Sequence, residues 1–191
     1  MATAVLSTKQ NIRQAAQRLF RDRGYASVGM RELAKKVGIE APSIYNHYKS
    51  KDDILREICF EIGEQFFKAV DSINTNEKSV KVLRAYIKAH IGVMANNMEA
   101  SNVFFHEWMF LEEPNLGKFK KMRQQYEQKY REVIDKGIKK GDLKPLNTRL
   151  IILTIFSAIN STYDLYKSSE KLSQEEIAEQ ITDLLLKGLK S

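Results

Sequence analysis

The chain has 191 residues, 43% of them hydrophobic, with 31 Lys and Arg against 24 Asp and Glu for a net charge of +7, enough for one good core or for a small module beside a larger one. A single cysteine, Cys59, excludes an internal disulfide and any cysteine-rich metal centre. No apolar run approaches the roughly 18 residues a membrane helix needs, and no basic segment leads into an apolar one at the amino end, so a cytoplasmic protein is expected.

Ser7 and Gln10 form a capping-box pair, and Ile12, Ala15, Ala16, Leu19 and Phe20 come next at spacings of three and four up to Gly24, which predicts a first helix. Met30, Leu33, Ala34 and Val37 predict a shorter second helix closed by Gly38. A third is expected from about Ala41 to Tyr48, with Pro42 in its first turn and Ile44 and Tyr48 pointing inward. Ser43, Tyr45, Asn46 and His47 are left facing out, and a hydroxyl, a phenol, an amide and an imidazole suit phosphate oxygens and base edges. At Asn46 the amide can read adenine bidentately if it reaches the groove floor. Three short helices of this spacing make a helix-turn-helix.

Ser50 and Asp53 then cap a long fourth helix striped by Ile54, Ile58, Ile62, Phe66, Val70 and Ile73. A cap-like Asn76 precedes a fifth with Val80, Leu83, Ile87, Ile91 and Met94. The sixth, over Val103, Phe104, Phe105, Trp108, Met109 and Phe110, is apolar on almost every face and stops at Pro114. Phe119, Met122, Tyr126, Tyr130, Val133 and Ile134 give a seventh reaching Gly141; an eighth spans about Thr148 to Ser168. Ser173 and Glu176 cap a ninth with Ile177, Ile181, Leu184, Leu185 and Leu189. No period-two pattern competes. The expectation is an all-α chain of about nine helices, with a DNA-binding domain over 1–51 and a helical sensing and dimerisation domain over 52–191.

Charge supports that division. Residues 1–51 hold ten basic and three acidic side chains, which accounts for the whole +7, while the remainder carries 21 of each sign. A polyanionic partner for the first module explains the asymmetry.

In the larger module, a helix apolar all round is buried or lines a cavity. Met94, Met98, Phe105, Trp108, Met109 and Tyr126 are candidate walls of an effector pocket, with His106 or His90 as its polar handle; plain core packing is the competing reading. Such a lining favours a flat or greasy effector. Small residues at Thr154, Ser157, Ala158 and Ser161, and surplus apolar surface on the ninth helix, point to a partner helix and hence a homodimer. Enzyme signatures are absent: no glutamate lies three residues before His47, His90 or His106, and there is no HExxH, phosphate-binding glycine loop or GxSxG. No catalytic residue, metal or cofactor is expected.

Taken together, Ile12 with Ala15-Ala16 and Leu19-Phe20, Gly24-Tyr25, Met30-Arg31-Glu32-Leu33-Ala34, Val37-Gly38, Ile44-Tyr45 with His47, and Lys51 before Ile54-Leu55 resemble the TetR-type transcriptional regulators. The resemblance is detailed over roughly Ile12 to Leu55 and extends beyond Arg56 only in helix count and length. It implies a DNA role for Arg31 at a base edge, for Ala41, Pro42 and Ser43 at the start of the reading helix, and for Tyr45, His47 and Lys51 at the backbone. One departure stands out: Val28, Gly29 and Met30 occupy the segment where the family often has Thr or Ser, leaving Ser27 or the N–H groups near Gly29 to meet phosphate. The implied function is a homodimeric operator-binding repressor released by a small effector. An architectural or division-linked DNA-binding protein, whose body binds a protein partner, is the alternative.

Overall fold

Side-chain caps start several of the helices. Ser7 and Gln10 exchange hydrogen bonds, Ser50 accepts from the Asp53 N–H, Asn147 accepts from the Leu150 N–H and Ser173 exchanges with Glu176, so donors that lack an intrahelical partner are satisfied locally. A computed structural model describes residues 7–162 and 172–190, and among them are eight α-helices and no strand. They are α1 (Thr8–Arg23), α2 (Met30–Val37), α3 (Lys51–Asp71), α4 (Ser79–Asn96), α5 (Met98–His106), α6 (Asn115–Lys140), α7 (Thr148–Asn160) and α8 (Gln174–Leu189). Two 3-10 turns, Ser43–Asn46 and Trp108–Phe110, complete the set. The chain is all-helical, as its periodicity predicts.

Three elements differ from the sequence pattern. The predicted third helix is only the 3-10 turn Ser43–Asn46: Tyr45 and His47 donate to carbonyls three residues back, Pro42 has no N–H to give, and only Tyr48 reaches four residues back, to Ile44. The predicted aromatic sixth helix ends at His106 and tightens into Trp108–Phe110. Asn76 does not cap α4, which starts at Ser79; its N–H donates to the Asn74 side chain instead. The eighth predicted helix is described to Asn160, and its expected continuation towards Ser168 lies largely outside the described residues.

The chain forms two compact units, Met1–Ile62 with Glu99–Lys120, and Gly63–Met98 with Lys121–Ser191. The first therefore runs past residue 51 and takes in a segment from the middle of the chain. Ile12, Phe20, Leu33, Ile44, Ile54 and Ile58 are fully buried in it. Cys59 is buried there too, its thiol pushed up by burial and by the charges of Asp52 and Glu107, which makes it a packing residue. In the second unit α4 packs most extensively on α8, and Arg84 ties the two by bonds to Glu179 (2.9 Å) and Asp183 (2.6 Å).

Candidate nucleic-acid interface

The Ser43–Asn46 turn is positioned by the residues around it. Gly38 takes φ 75° and ends α2, a left-handed conformation that glycine adopts without a Cβ penalty. The chain then reverses, and Ser43–Asn46 sits with Ile44 fully buried and Tyr48 nearly so. Tyr45, Asn46 and His47 are exposed, Tyr45 to 53%, and Ser43 is half-buried. The in-and-out pattern expected from the sequence is thus present, on a tighter turn. Pro42 is exposed and Ala41 half-buried at its start, and Arg31 is exposed on α2.

Tyr48 anchors that turn. Its hydroxyl donates to Glu57 of α3 at 3.0 Å, and Glu57 also pairs with Lys9 (2.6 Å) and Arg13 (3.3 Å) of α1. Arg13 reaches on to Glu61 at 2.5 Å. Burial pushes the Glu57 carboxyl up, but the bonds from Lys9 and Tyr48 and the charges of Lys9 and Arg13 together hold it below its usual value. Burial and the bond to Glu57 raise the Tyr48 phenol, so it stays a neutral donor. None of Tyr48, Glu57 and Arg13 is a candidate from sequence, since their pairing joins positions up to 44 residues apart.

Two candidates point elsewhere. The Lys51 ammonium, expected against phosphate, turns inward to the carbonyls of Tyr25 (2.7 Å) and Val28 (2.8 Å) and lies 4.0 Å from the Tyr25 ring centroid. Burial lowers its pKa. These carbonyls lie in the α1–α2 loop, where the Tyr25 oxygen also accepts the Val28 N–H at 3.3 Å, and Lys51 adds a charged donor to both. Ser27, the stand-in for the missing family hydroxyl, directs its own to the Arg23 (2.6 Å) and Gly24 (3.1 Å) carbonyls.

The seven pocket candidates are divided between the units. Met94, Met98 and Tyr126 belong to the second, as does the alternative polar handle His90, and Phe105, His106, Trp108 and Met109 to the first. Trp108 stacks on Phe119 at 5.7 Å and Phe105 meets Phe104 edge-on at 5.0 Å, whereas Met109 is 59% exposed and so does not face an interior. His106 is exposed, its Nδ1 donating to the Asn102 carbonyl one turn back.

Buried polar side chains of the second unit include His90, 1% exposed. Its Nε2 lies 3.2 Å from Asn160 Oδ1 and its Nδ1 3.1 Å from Tyr126 Oη; with the amide oxygen accepting, Nε2 carries the proton and Nδ1 accepts from the phenol. Tyr130 donates to the Tyr86 carbonyl at 3.1 Å. Around the imidazole stand Phe66, stacked at 4.4 Å, and Phe156, edge-on at 5.7 Å. Burial drives the His90 pKa down to about 3, against a smaller upward pull from Asn160, so the ring is neutral.

Known proteins share this fold. Residues 12–58 match the family model "Bacterial regulatory proteins, tetR family", and 76–189 match "Tetracyclin repressor-like, C-terminal domain". The HTH-type transcriptional repressor KstR2 of Mycolicibacterium smegmatis is 23% identical over 186 residues, covering 96% of this chain and 91% of that protein. The solved structure of the ketosteroid transcriptional regulator KstR2 of Mycobacterium tuberculosis superposes with a TM-score of 0.88 at 20% identity, covering 100% of this chain and 98% of that one. AibR, crystallised with isovaleryl coenzyme A and operator DNA, gives a TM-score of 0.82 at 21% identity, covering 94% and 98%. The chain belongs to the tetR family of bacterial regulatory proteins, which are helix-turn-helix transcriptional regulators and not enzymes.

Proposed function

We propose that this chain is a cytoplasmic, homodimeric repressor that holds a palindromic operator and releases it when an acyl-thioester effector occupies its second unit. The observation that carries the DNA reading is the exposed row Tyr45, Asn46 and His47 standing over buried Ile44 and Tyr48, a rigid turn that offers hydrogen-bonding groups and no large apolar side chain besides the amphipathic phenol. Ala41, Pro42 and Ser43 lead into it, and Arg31 on α2 presents an exposed guanidinium, suited to the O6 and N7 acceptors of guanine.

For the effector, support comes from AibR, which takes isovaleryl coenzyme A, and from the chemistry around His90. Tyr126, His90 and the half-buried Asn160 form a polar chain beside Phe66 and Phe156, and polar groups set in apolar surroundings recognise a carbonyl on a greasy chain. Differential binding to two states needs a coupling of only about 1–3 kcal/mol to loosen an operator complex 5- to 150-fold.

Dimerisation is supported by Leu150 and Leu153 on α7 and Leu184 on α8, exposed to 61%, 56% and 76%. Three large apolar side chains bared on the last two helices are the expected face of an isologous contact. Selection of bound DNA from a random pool tests the whole reading. The expected product is a palindrome with half-sites roughly 34 Å apart, retained by the chain and shed on adding isovaleryl coenzyme A or a longer acyl thioester. No enriched palindrome would remove the operator reading; retention in every thioester would remove the effector class. Light scattering on Leu150→Asp with Leu184→Asp should give monomers where the parent gives dimers.

A further inference from the structure

Residues 99–120 are remote from the reader in sequence yet belong to its unit, and their polar contacts converge on the α1–α2 loop and its surroundings. The Tyr25 N–H donates to Glu107 at 2.9 Å. The Phe110 ring stacks on Tyr25 at 5.4 Å with 24° between planes. Just past Lys51, the buried Asp52 carboxylate accepts the Glu112 N–H at 3.0 Å, and Arg21 at the end of α1 pairs with Glu99 at 3.2 Å. From the other direction Lys51 holds the carbonyls of Tyr25 and Val28. Tyr25 is therefore gripped at its N–H, its carbonyl and its ring.

That grip bears on the start of α2. Gly29, the cap residue of α2, makes no side-chain cap bond, and Ser27 spends its hydroxyl backwards on the loop. The orientation of α2, and of Arg31 in its first turn, is set by the loop before it, by helix packing and by the ion pair of Arg23 with Glu32. A carboxylate reaching one backbone N–H buries little apolar area; its contribution is direction.

We propose that Glu107 is a positioning residue for DNA reading: by holding the Tyr25 amide it fixes the loop that starts α2, and through α2 the place of Arg31. The role rests on the operator reading. It assigns a part in recognition to the turn after α5, which supplies none of the groups proposed to touch nucleic acid.

The test uses the full chain and a duplex carrying the site selected by the parent protein. Glu107→Ala should weaken binding about tenfold and flatten the preference at the base position that Arg31 reads. Its salt dependence should keep the parent slope, because no phosphate contact is lost. Glu107→Gln, whose amide oxygen still accepts from Tyr25, should stay within about twofold of the parent. Parent-like binding by Glu107→Ala overturns the role, as does a Glu107→Gln as weak as the alanine variant. Should Glu107→Ala fail to fold, hydrogen exchange of the Tyr25 amide in the parent decides: slower exchange on the operator supports positioning, and equal exchange with and without DNA overturns it. A parent chain that retains no duplex at all overturns the operator reading and this role with it, whereas a binding parent matched by Glu107→Ala overturns the role alone.

Discussion

The Tyr48 hydroxyl donates to Glu57 across 3.0 Å, and this one bond joins the chain just after the Ser43–Asn46 turn to the second turn of α3. Because Glu57 is also the shared partner of Lys9 and Arg13, it ties three segments together. Glu57→Gln keeps the shape, loses the charge and should cost about 1 kcal/mol, a modest figure because the pairs are partly screened by solvent. The sign with pH comes from the lowered carboxyl pKa. Its stabilisation is complete above the ordinary carboxylate value of 4.5 and is lost as pH falls through the folded value. Thermal unfolding of parent and Glu57→Gln should therefore differ at pH 7 and converge in acid; a constant difference down to pH 3 would show that the charge is not what Tyr48 and the cations hold.

Lys51 gives the second expectation. Its ammonium serves the Tyr25 and Val28 carbonyls, so Lys51→Ala should lower stability by about 2 kcal/mol through the loss of two charge-assisted hydrogen bonds, the Tyr25 oxygen keeping only its bond from the Val28 N–H. The salt slope of DNA binding should stay where it was. A lysine on phosphate would do the reverse, leaving stability alone and lowering the slope by roughly 0.9. Chemical denaturation and a salt titration of the same variant separate the two.

Much of the architecture was legible because its signals are local. Capping boxes at Ser7 and Ser173, glycines at Gly24 and Gly38, and helical spacing between them depend on residues within a few positions of each other. The burial of Ile44 and Tyr48 under an exposed Tyr45 was legible for the same reason. What sequence could not supply was long-range pairing. The inward turn of Lys51 depends on carbonyls 26 and 23 residues earlier, and the Glu107 contact with Tyr25 spans 82 residues. The pocket candidates show the same limit: composition marked Met109 as a wall and His106 or His90 as the polar handle, yet Met109 and His106 are exposed, and the polar chain forms at His90 through partners 36 and 70 residues away.

Arg31 and Asn46 make separable predictions about specificity. Both are exposed, and both side chains can pair bidentately, guanidinium with guanine and amide with adenine. Arg31→Ala should relax one base position in each half-site at a cost of about 1–3 kcal/mol, with other positions unchanged. Asn46→Ala should do the same at a different position if the amide reaches the groove floor, and should weaken all sequences alike if it touches only backbone. Site selection repeated with each variant reads this directly; an unaltered profile for Arg31→Ala would take base reading away from that residue.

His90 offers a pH expectation for the second unit. Its folded pKa, about 3, lies below the ordinary 6.5, so between those values the unfolded chain binds a proton that the folded chain refuses. Stability from keeping the ring neutral is complete above pH 6.5 and declines as pH falls, by up to about 1.4 kcal/mol per pH unit for one proton. Burial outweighs the upward pull of Asn160 on the ring, and the new cation would sit beside Phe66, Phe156 and Tyr126. His90→Gln removes the titration and keeps an amide able to bond Tyr126 or Asn160. Denaturant midpoints measured at pH 7.5, 6.5 and 5.5 should fall faster for the parent than for His90→Gln, and the gap should open below pH 6.5, before the exposed carboxylates titrate. Parallel curves over that range would mean that the imidazole charges without penalty, and the polar chain through Tyr126 and Asn160 would lose its standing as the anchor for an apolar effector.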